Sequence, residues 1–290
     1  LQPWKKALFS RNTSKKQLWK NLKERATEMA VVSTFCKKGG VGKTTFIAFM
    51  GHHYAKQGKK VLILSADDQN SIFKCFGVEG KIFERNDDYL EFLLAGHAEL
   101  GDILIEAREN LYLIKTLNTD KLSMKLTLER NQEKAVKRMI DEYSSYFDYI
   151  FIDFPPSSSR LSEVLLDLSD EILLVVGLDS LGLGGFVNTI QYFIDNDLNM
   201  DNIKYIVPNG YSKNRRAPKI SLEILEGQAK EFTPKAFVLP ALQEKSIIKN
   251  LQSEGISPFD DTKMSSYYDQ SQKEQLASDL LELFKHITLA

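Results

Sequence analysis

A β-branched apolar run that breaks into a glycine-rich loop and then at once into a helical pattern leaves a chain few folds to choose from. Here that feature is residues 31–45, VVSTFCKKGGVGKTT, with a helix predicted over 46–57. Glycines let backbone N–H groups approach phosphate oxygens, and the N-terminus of the following helix favours negative charge. Lys43 is spaced to reach the β- and γ-phosphates of a nucleotide, and Thr44 to offer its hydroxyl to Mg²⁺. Gly39, Gly40, Val41, Gly42, Lys43, Thr44 and Thr45 are therefore the candidate nucleotide-binding residues. A mere glycine-rich turn would need neither the strand before it nor the helix after it, and both are present.

The loop has a second lysine at its head. Lys38-Gly-Gly-Val-Gly-Lys-Thr-Thr resembles the deviant Walker A box of the ParA/MinD family of ATPases, and within it the ParA-like partition ATPases. In that family the first lysine reaches across a dimer interface to the partner's nucleotide, and the resemblance gives Lys38 this role; neighbouring Lys37 lacks the family spacing to Lys43. The resemblance covers roughly residues 30 to 285. It implies a P-loop NTPase fold, an α/β doubly wound, mostly parallel sheet flanked by helices, with ATP and Mg²⁺ as cofactors.

Further along, a short buried-type strand over 61–64 ends in Ser65-Ala66-Asp67-Asp68-Gln69-Asn70. The family usually has Asp-x-Asp-Pro-Gln-Gly-Asn there. Asp67 takes the position credited with polarising the attacking water, and a carboxylate at a strand's C-terminal end faces bound phosphates. Ser65 replaces the first aspartate, Asp68 replaces the proline, and the glycine is missing, which bears on Mg²⁺ geometry and hydrolysis rate. Lys38, Lys43 and Asp67 make up the expected catalytic set. Tyr149-Ile-Phe-Ile-Asp153-Phe-Pro-Pro156 reads as a Walker B strand, with Asp153 placed to hold Mg²⁺ through water beside Thr44. Residues 171–177 read as another buried strand, followed by a glycine-rich loop over 179–185 and a helix over 186–195; in the family this region approaches the dimer interface. A strand over 204–208 exits through Pro208-Asn209, which resembles the family segment that contacts adenine, and Asn209 can both donate to and accept from a base edge. A single long helix with a solvated charged face is predicted over 122–146, and a final helix over 272–287 with Leu276, Leu280, Leu283, Phe284 and Ile287 on its core side.

Composition adds bounds more than content. The chain has 290 residues, 43% hydrophobic and 27% charged, enough for one large or two small domains with a sizeable core. The longest apolar runs are too short to span a bilayer, and no apolar stretch of a signal peptide follows the basic N-terminus. The two cysteines, Cys36 and Cys75, read as reduced and buried rather than bridged. Net charge is −1, but unevenly spread: residues 1–28 hold eight bases against two acids, and residues 204–249 nine against four. A near-neutral total can conceal local polyanion-binding surfaces. Residues 1–28 read as a basic amphipathic extension, with a helix over 15–29 that could pack on the body or on a dimer mate, lie on DNA phosphates, or lie on a membrane surface. Residues 29–290 read as the ATPase domain.

The expected function follows from the resemblance. ATP would favour a sandwich homodimer that binds nonspecific DNA, and a ParB-like centromere-binding protein would stimulate slow, Mg²⁺-dependent hydrolysis during plasmid or chromosome segregation. That implies a cytoplasmic, nucleoid-associated protein. Lys213, Arg215, Arg216, Lys219, Lys245 and Lys249 are the candidate DNA contacts, set against the alternative of a solvated basic face. The rival readings are a MinD-like positioning ATPase on a membrane or protein scaffold, and a bacterial tyrosine kinase of related loop design, which would want a tyrosine cluster where this chain has only Tyr267-Tyr268.

Overall fold

The computed structural model describes residues 29–82 and 89–289; the amino-terminal extension and its expected helix lie outside them. From β1 (Ala30–Phe35) the chain passes through the glycine loop into α1 (Lys43–Lys56) and back to β2 (Val61–Ser65). Two 3₁₀ turns and the short helices α2 (Leu90–Leu94) and α3 (Leu100–Ile103) lead to β3 (Ile105–Arg108) and β4 (Leu111–Ile114). Then come α4 (Thr119–Leu128), α5 (Arg130–Tyr143), β5 (Tyr149–Asp153), α6 (Arg160–Asp167), β6 (Glu171–Gly177) and α7 (Ser180–Asp195). The chain closes with β7 (Ile203–Tyr211), α8 (Arg216–Phe232), β8 (Phe237–Val238), β9 (Leu242–Gln243), α9 (Ile247–Glu254) and α10 (Tyr267–Phe284).

Among the described residues the strands form one sheet in the order β3-β4-β2-β5-β1-β6-β7-β8, with β9 also on β7. β3 is antiparallel to β4, and every other pairing is parallel. A parallel sheet must be covered on both faces, and the β-branched and aliphatic strands supply both. Val31, Phe35, Leu62, Leu64, Ile150 and Ile152 pack on one side, against α4 to α8. Ala30, Val32, Val61, Ile63 and Phe151 pack on the other, against α1, α9 and α10. The expected doubly wound sheet is the observed one.

This strand order builds the site. Because β5 lies between β2 and β1, the register sets Ser65 opposite Asp153 and Thr34 opposite Asp153. The three side chains form a buried polar row at the carboxyl ends of the central strands, where ligands bind in open α/β sheets.

Several expected elements are placed differently. The long helix over 122–146 is two helices, broken at Glu129, whose backbone is extended at φ −116° and ψ 97°. No glycine or proline marks this break. The glycine loop over 179–185 is mostly helix: α7 starts at Ser180, with the Asp179 carboxylate accepting from Gly182 N at 2.7 Å. The basic loop after β7 ends earlier than expected, since Arg216 opens α8 and Pro218 falls in its first turn, where a missing N–H costs nothing. The last helix starts at Tyr267 behind a Ser266 cap and packs on α1, Phe46 meeting Phe284 edge-on at 5.8 Å between ring centres. Leu276, Leu280, Leu283 and Phe284 are buried, and at about 1.5–3 kcal/mol for each such side chain α10 is an integral part of the core.

Candidate functional site

The glycine loop folds tightly at the end of β1. Gly42 has φ 98°, a left-handed conformation that only glycine adopts without strain, and a Cβ there would sit 2.6 Å from Asn209 Nδ2. Lys43 starts α1 and is buried; its ammonium turns under the loop and donates to the carbonyls of Cys36 at 3.1 Å and Lys38 at 3.0 Å. Burial lowers its pKa, opposed by nearby Cys36, Asp153 and Asp67. Lys38 is half-buried with its stem against α7, where a Cβ on Gly185 would come within 2.6 Å of Lys38 Cβ. The two lysines that the sequence pairs therefore differ in their surroundings: Lys43 is bonded to its own loop's carbonyls, and the Lys38 stem lies against α7.

Thr44 Oγ1 donates to Asp153 Oδ1 at 3.0 Å. The other carboxylate oxygen, Oδ2, is buried with no hydrogen-bond partner. Burial pushes the Asp153 carboxyl up to about 7; Asp67 adds to this, while the Thr44 hydrogen bond and Lys43 oppose it. An orphaned carboxyl oxygen beside a threonine hydroxyl fits a small hard cation such as Mg²⁺, which takes oxygen ligands and keeps much of its water. Thr44 and Asp153 are the residues that would hold it.

Asp67 lies just past the end of β2, half-buried, with burial and Asp68 raising its carboxyl pKa and the Gln69 N–H and Lys43 lowering it. Gln69 N donates to its Oδ1 at 3.0 Å. Ser65, where the family pattern has aspartate, donates its hydroxyl to Asp67 O at 2.8 Å. On the opposite flank, Asn209 Nδ2 donates to Val41 O at 2.8 Å, and its Oδ1 accepts from Gly210 N at 2.9 Å. Asn209 thus ties the glycine loop to β7, directly after Pro208.

Residues 29–204 match the family model of an AAA domain, AAA_31. The chain belongs to this family, as a ParA/MinD-type ATPase. It is 26% identical over 215 residues to the sporulation initiation inhibitor protein Soj of Bacillus subtilis, an alignment that covers 71% of this chain and 81% of Soj. Its fold is that of a Cyanothece McdA variant in complex with ATP, with a TM-score of 0.71 and 21% identity over 91% of this chain and 99% of that one. A putative plasmid partition protein from Borrelia burgdorferi bound to AMPPNP gives a TM-score of 0.69 at 21% identity, over 90% and 100% of the two chains.

In this ParA/MinD-type ATPase the basic candidates divide into two groups. Arg215 pairs with Glu244, and Lys245 pairs with Asp279 at 2.9 Å. Lys213, Arg216, Lys219 and Lys249 are exposed; the first three lie around the exit of β7 and the start of α8, and Lys249 lies on α9. No described helix is long and apolar enough to cross a membrane.

Other contacts at the site were not legible in the motifs. Gln252 on α9 donates to Thr45 Oγ1 at 3.0 Å, binding the carboxy-terminal half to the loop helix. Lys37 donates to Ser158 in the segment after β5, and its ammonium lies 4.7 Å from the centre of the Tyr192 ring. A Cβ placed on Gly39 would lie 3.7 Å from the Pro156 ring, so the glycine loop and the Asp153-Phe-Pro-Pro segment meet directly.

Proposed function

We propose that this ATPase is an ATP-switched positioning protein of the partition type. Its ATP-bound form is a sandwich homodimer that holds nonspecific DNA, and a ParB-like centromere-binding partner ends the bound state by stimulating slow hydrolysis. The observation that carries the reading is the division of labour between the lysines: Lys43 is buried and bonded to the carbonyls of its own loop, while Lys38 is half-buried with its stem against Gly185 of α7. On this reading Lys43 serves its own nucleotide and Lys38, carried on α7's side of the loop, serves a neighbouring subunit's. The McdA–ATP and partition-protein–AMPPNP complexes of the same fold support nucleotide binding by this chain.

Each residue then has a physical task. Lys43 exchanges two carbonyl partners for phosphate oxygens, a gain of charge-assisted hydrogen bonds. Mg²⁺ held by Thr44 and Asp153 would neutralise phosphate charge. Asp67 accepts a hydrogen bond from the attacking water and orients it. Asn209 and Pro208 keep the β7 exit against the loop, next to where the base would lie. Lys213, Arg216, Lys219 and Lys249 supply phosphate contacts that tolerate any sequence and weaken with salt.

The test is co-sedimentation of ATP- and ADP-loaded protein with DNA and, separately, with anionic vesicles. We expect DNA to be pelleted with the ATP form only; vesicle binding without DNA binding would replace the partition reading with a MinD-like one. Asp67→Ala is expected to accumulate the ATP dimer with slowed turnover, and normal turnover in that variant would remove Asp67 from the mechanism.

A further inference from the structure

The segment after β2 departs from the family pattern, and its contacts show what the substituted residues do. Asp68 stands in place of proline, and its backbone N–H is in use, donating to Thr119 Oγ1 at 3.2 Å. Its carboxylate accepts from Thr119 N at 3.1 Å, at the N-terminus of α4, where negative charge is favoured. The Thr119 hydroxyl donates onward to Ala66 O at 3.2 Å. A proline here could make neither the N–H contact nor the carboxylate contact.

Asn70 closes a second set of bonds. It is buried, with a left-handed backbone at φ 47° and ψ 36°. Its Nδ2 donates to Asp68 O at 2.9 Å and to Thr116 O at 2.8 Å, and its Oδ1 accepts from Thr116 N at 3.1 Å. The Thr116 hydroxyl donates to Ser65 O at 2.6 Å. Asp67 therefore sits between two anchored residues, with Ser65, Ala66, Asp68 and Asn70 all fastened to the β4–α4 junction. That junction is fixed from outside by Glu91 on α2, whose carboxylate accepts from Leu117 N and Asn118 N.

We infer that Asp68, Asn70, Thr116 and Thr119 form a latch that positions the Asp67 carboxylate and couples it to α4. The inference rests on the reading of Asp67 as the water-orienting group. None of the four touches the reacting atoms; they act by fixing the backbone on both sides of Asp67. Such fixing matters because a shift of about 1 Å in a catalytic group can cost up to about a hundredfold in rate. The latch also makes α4 a route of regulation: a partner that moves the N-terminus of α4 moves Asp67 through the Asp68–Thr119 pair. This chain, with Ser65 in place of the first aspartate and no proline after Asp67, holds its water-orienting loop by hydrogen bonds where the family pattern has a rigid ring.

The test compares Asp68→Ala, Asp68→Asn, Thr119→Val and Asp67→Ala in the full chain, reading kcat, KM, affinity for a fluorescent ATP analogue and thermal midpoint. Asp68→Ala and Thr119→Val are expected to lower kcat by about tenfold with analogue affinity kept within about twofold, since the phosphate loop is untouched. Asp68→Asn, which keeps an acceptor oxygen for Thr119 N, is expected to recover most of the rate. Normal kcat in Asp68→Ala and Thr119→Val beside an impaired Asp67→Ala would overturn the latch and leave the role of Asp67 standing. Normal turnover in Asp67→Ala would remove that role, and the latch with it. Parallel loss of kcat and analogue affinity, without recovery in Asp68→Asn, would show a general structural effect and also overturn the latch.

Discussion

Replacing Asp153 by asparagine is expected to stabilise the metal-free protein while removing its response to Mg²⁺. The Asp153 carboxyl is buried, its Oδ2 has no partner, and its pKa stands at about 7 against an ordinary 3.8. Holding it ionised above neutral pH costs the fold about 4 kcal/mol, at about 1.4 kcal/mol for each pH unit of displacement. Asparagine escapes that cost and keeps an oxygen for the Thr44 hydroxyl, but buries an amide N–H group without an acceptor, worth about 1–3 kcal/mol against it. The net expectation is a gain of about 1–3 kcal/mol at pH 8. The sign with pH follows from the raised folded-state pKa. The folded protein binds the extra proton between about pH 4 and pH 7, so the contribution of Asp153 to stability is full below that window and is lost as pH rises through it. The wild-type protein should thus fall further behind the variant from pH 4 to pH 8. Urea unfolding in a chelator, with an unchanged m-value, measures the difference directly. An Asp153→Asn protein less stable than wild type at pH 8, or a difference flat across the window, would refute this account of the site. Mg²⁺ with nucleotide should stabilise the wild-type protein much more than the variant.

Three further outcomes can be checked independently. His52, buried against Ser257 with burial as the main cause of a pKa near 4, should cost the fold about 3 kcal/mol as pH falls from about 6.5 to 4. The unfolded chain takes up that proton first, so stability is lost on acidification; urea midpoints for His52→Gln should lack this part of the drop, and an identical acid profile would exclude it. Gly185→Ala places a methyl 2.6 Å from Lys38 Cβ, an overpacking of about 1–3 kcal/mol. Sedimentation should show weaker ATP-dependent self-association with nucleotide affinity retained, and unchanged self-association would separate Lys38 from the dimer. Arg216→Glu puts an acid in the first turn of α8, which has none, and should leave folding intact or slightly improved. DNA affinity should fall and its log–log salt slope shrink by about one, whereas an unchanged slope would take Arg216 off the DNA surface.

The central sheet and its phosphate-facing end were legible in the order of the residues alone. The β-branched runs before Lys38 and Asp153 predict buried parallel strands, because only strands covered on both faces need such runs. Glycines followed by Lys43-Thr44 likewise allow one local geometry, so the loop was readable from its residues. The spacing of Leu276, Leu280, Leu283 and Phe284 marked the buried face of α10, though not its start five residues earlier. What depended on distant partners was not legible. The break at Glu129 carries no local signal, and the glycines of α7 look like a loop until Gly182 is seen against Gly177 and Gly185 against Lys38. Those close approaches make glycine necessary and let the helix run through it. The same holds at the site. Asp67 could be picked out by its place after a strand, but Asp68, and the run to Asn70 without the motif's glycine, looked like departures from a motif. Only the tertiary structure brings Thr116 and Thr119 to them across about fifty residues of chain and turns those departures into hydrogen bonds. Short-range geometry is written in neighbouring residues; the partners of a polar group, which decide its pKa, its position and its use, come from wherever the fold delivers them.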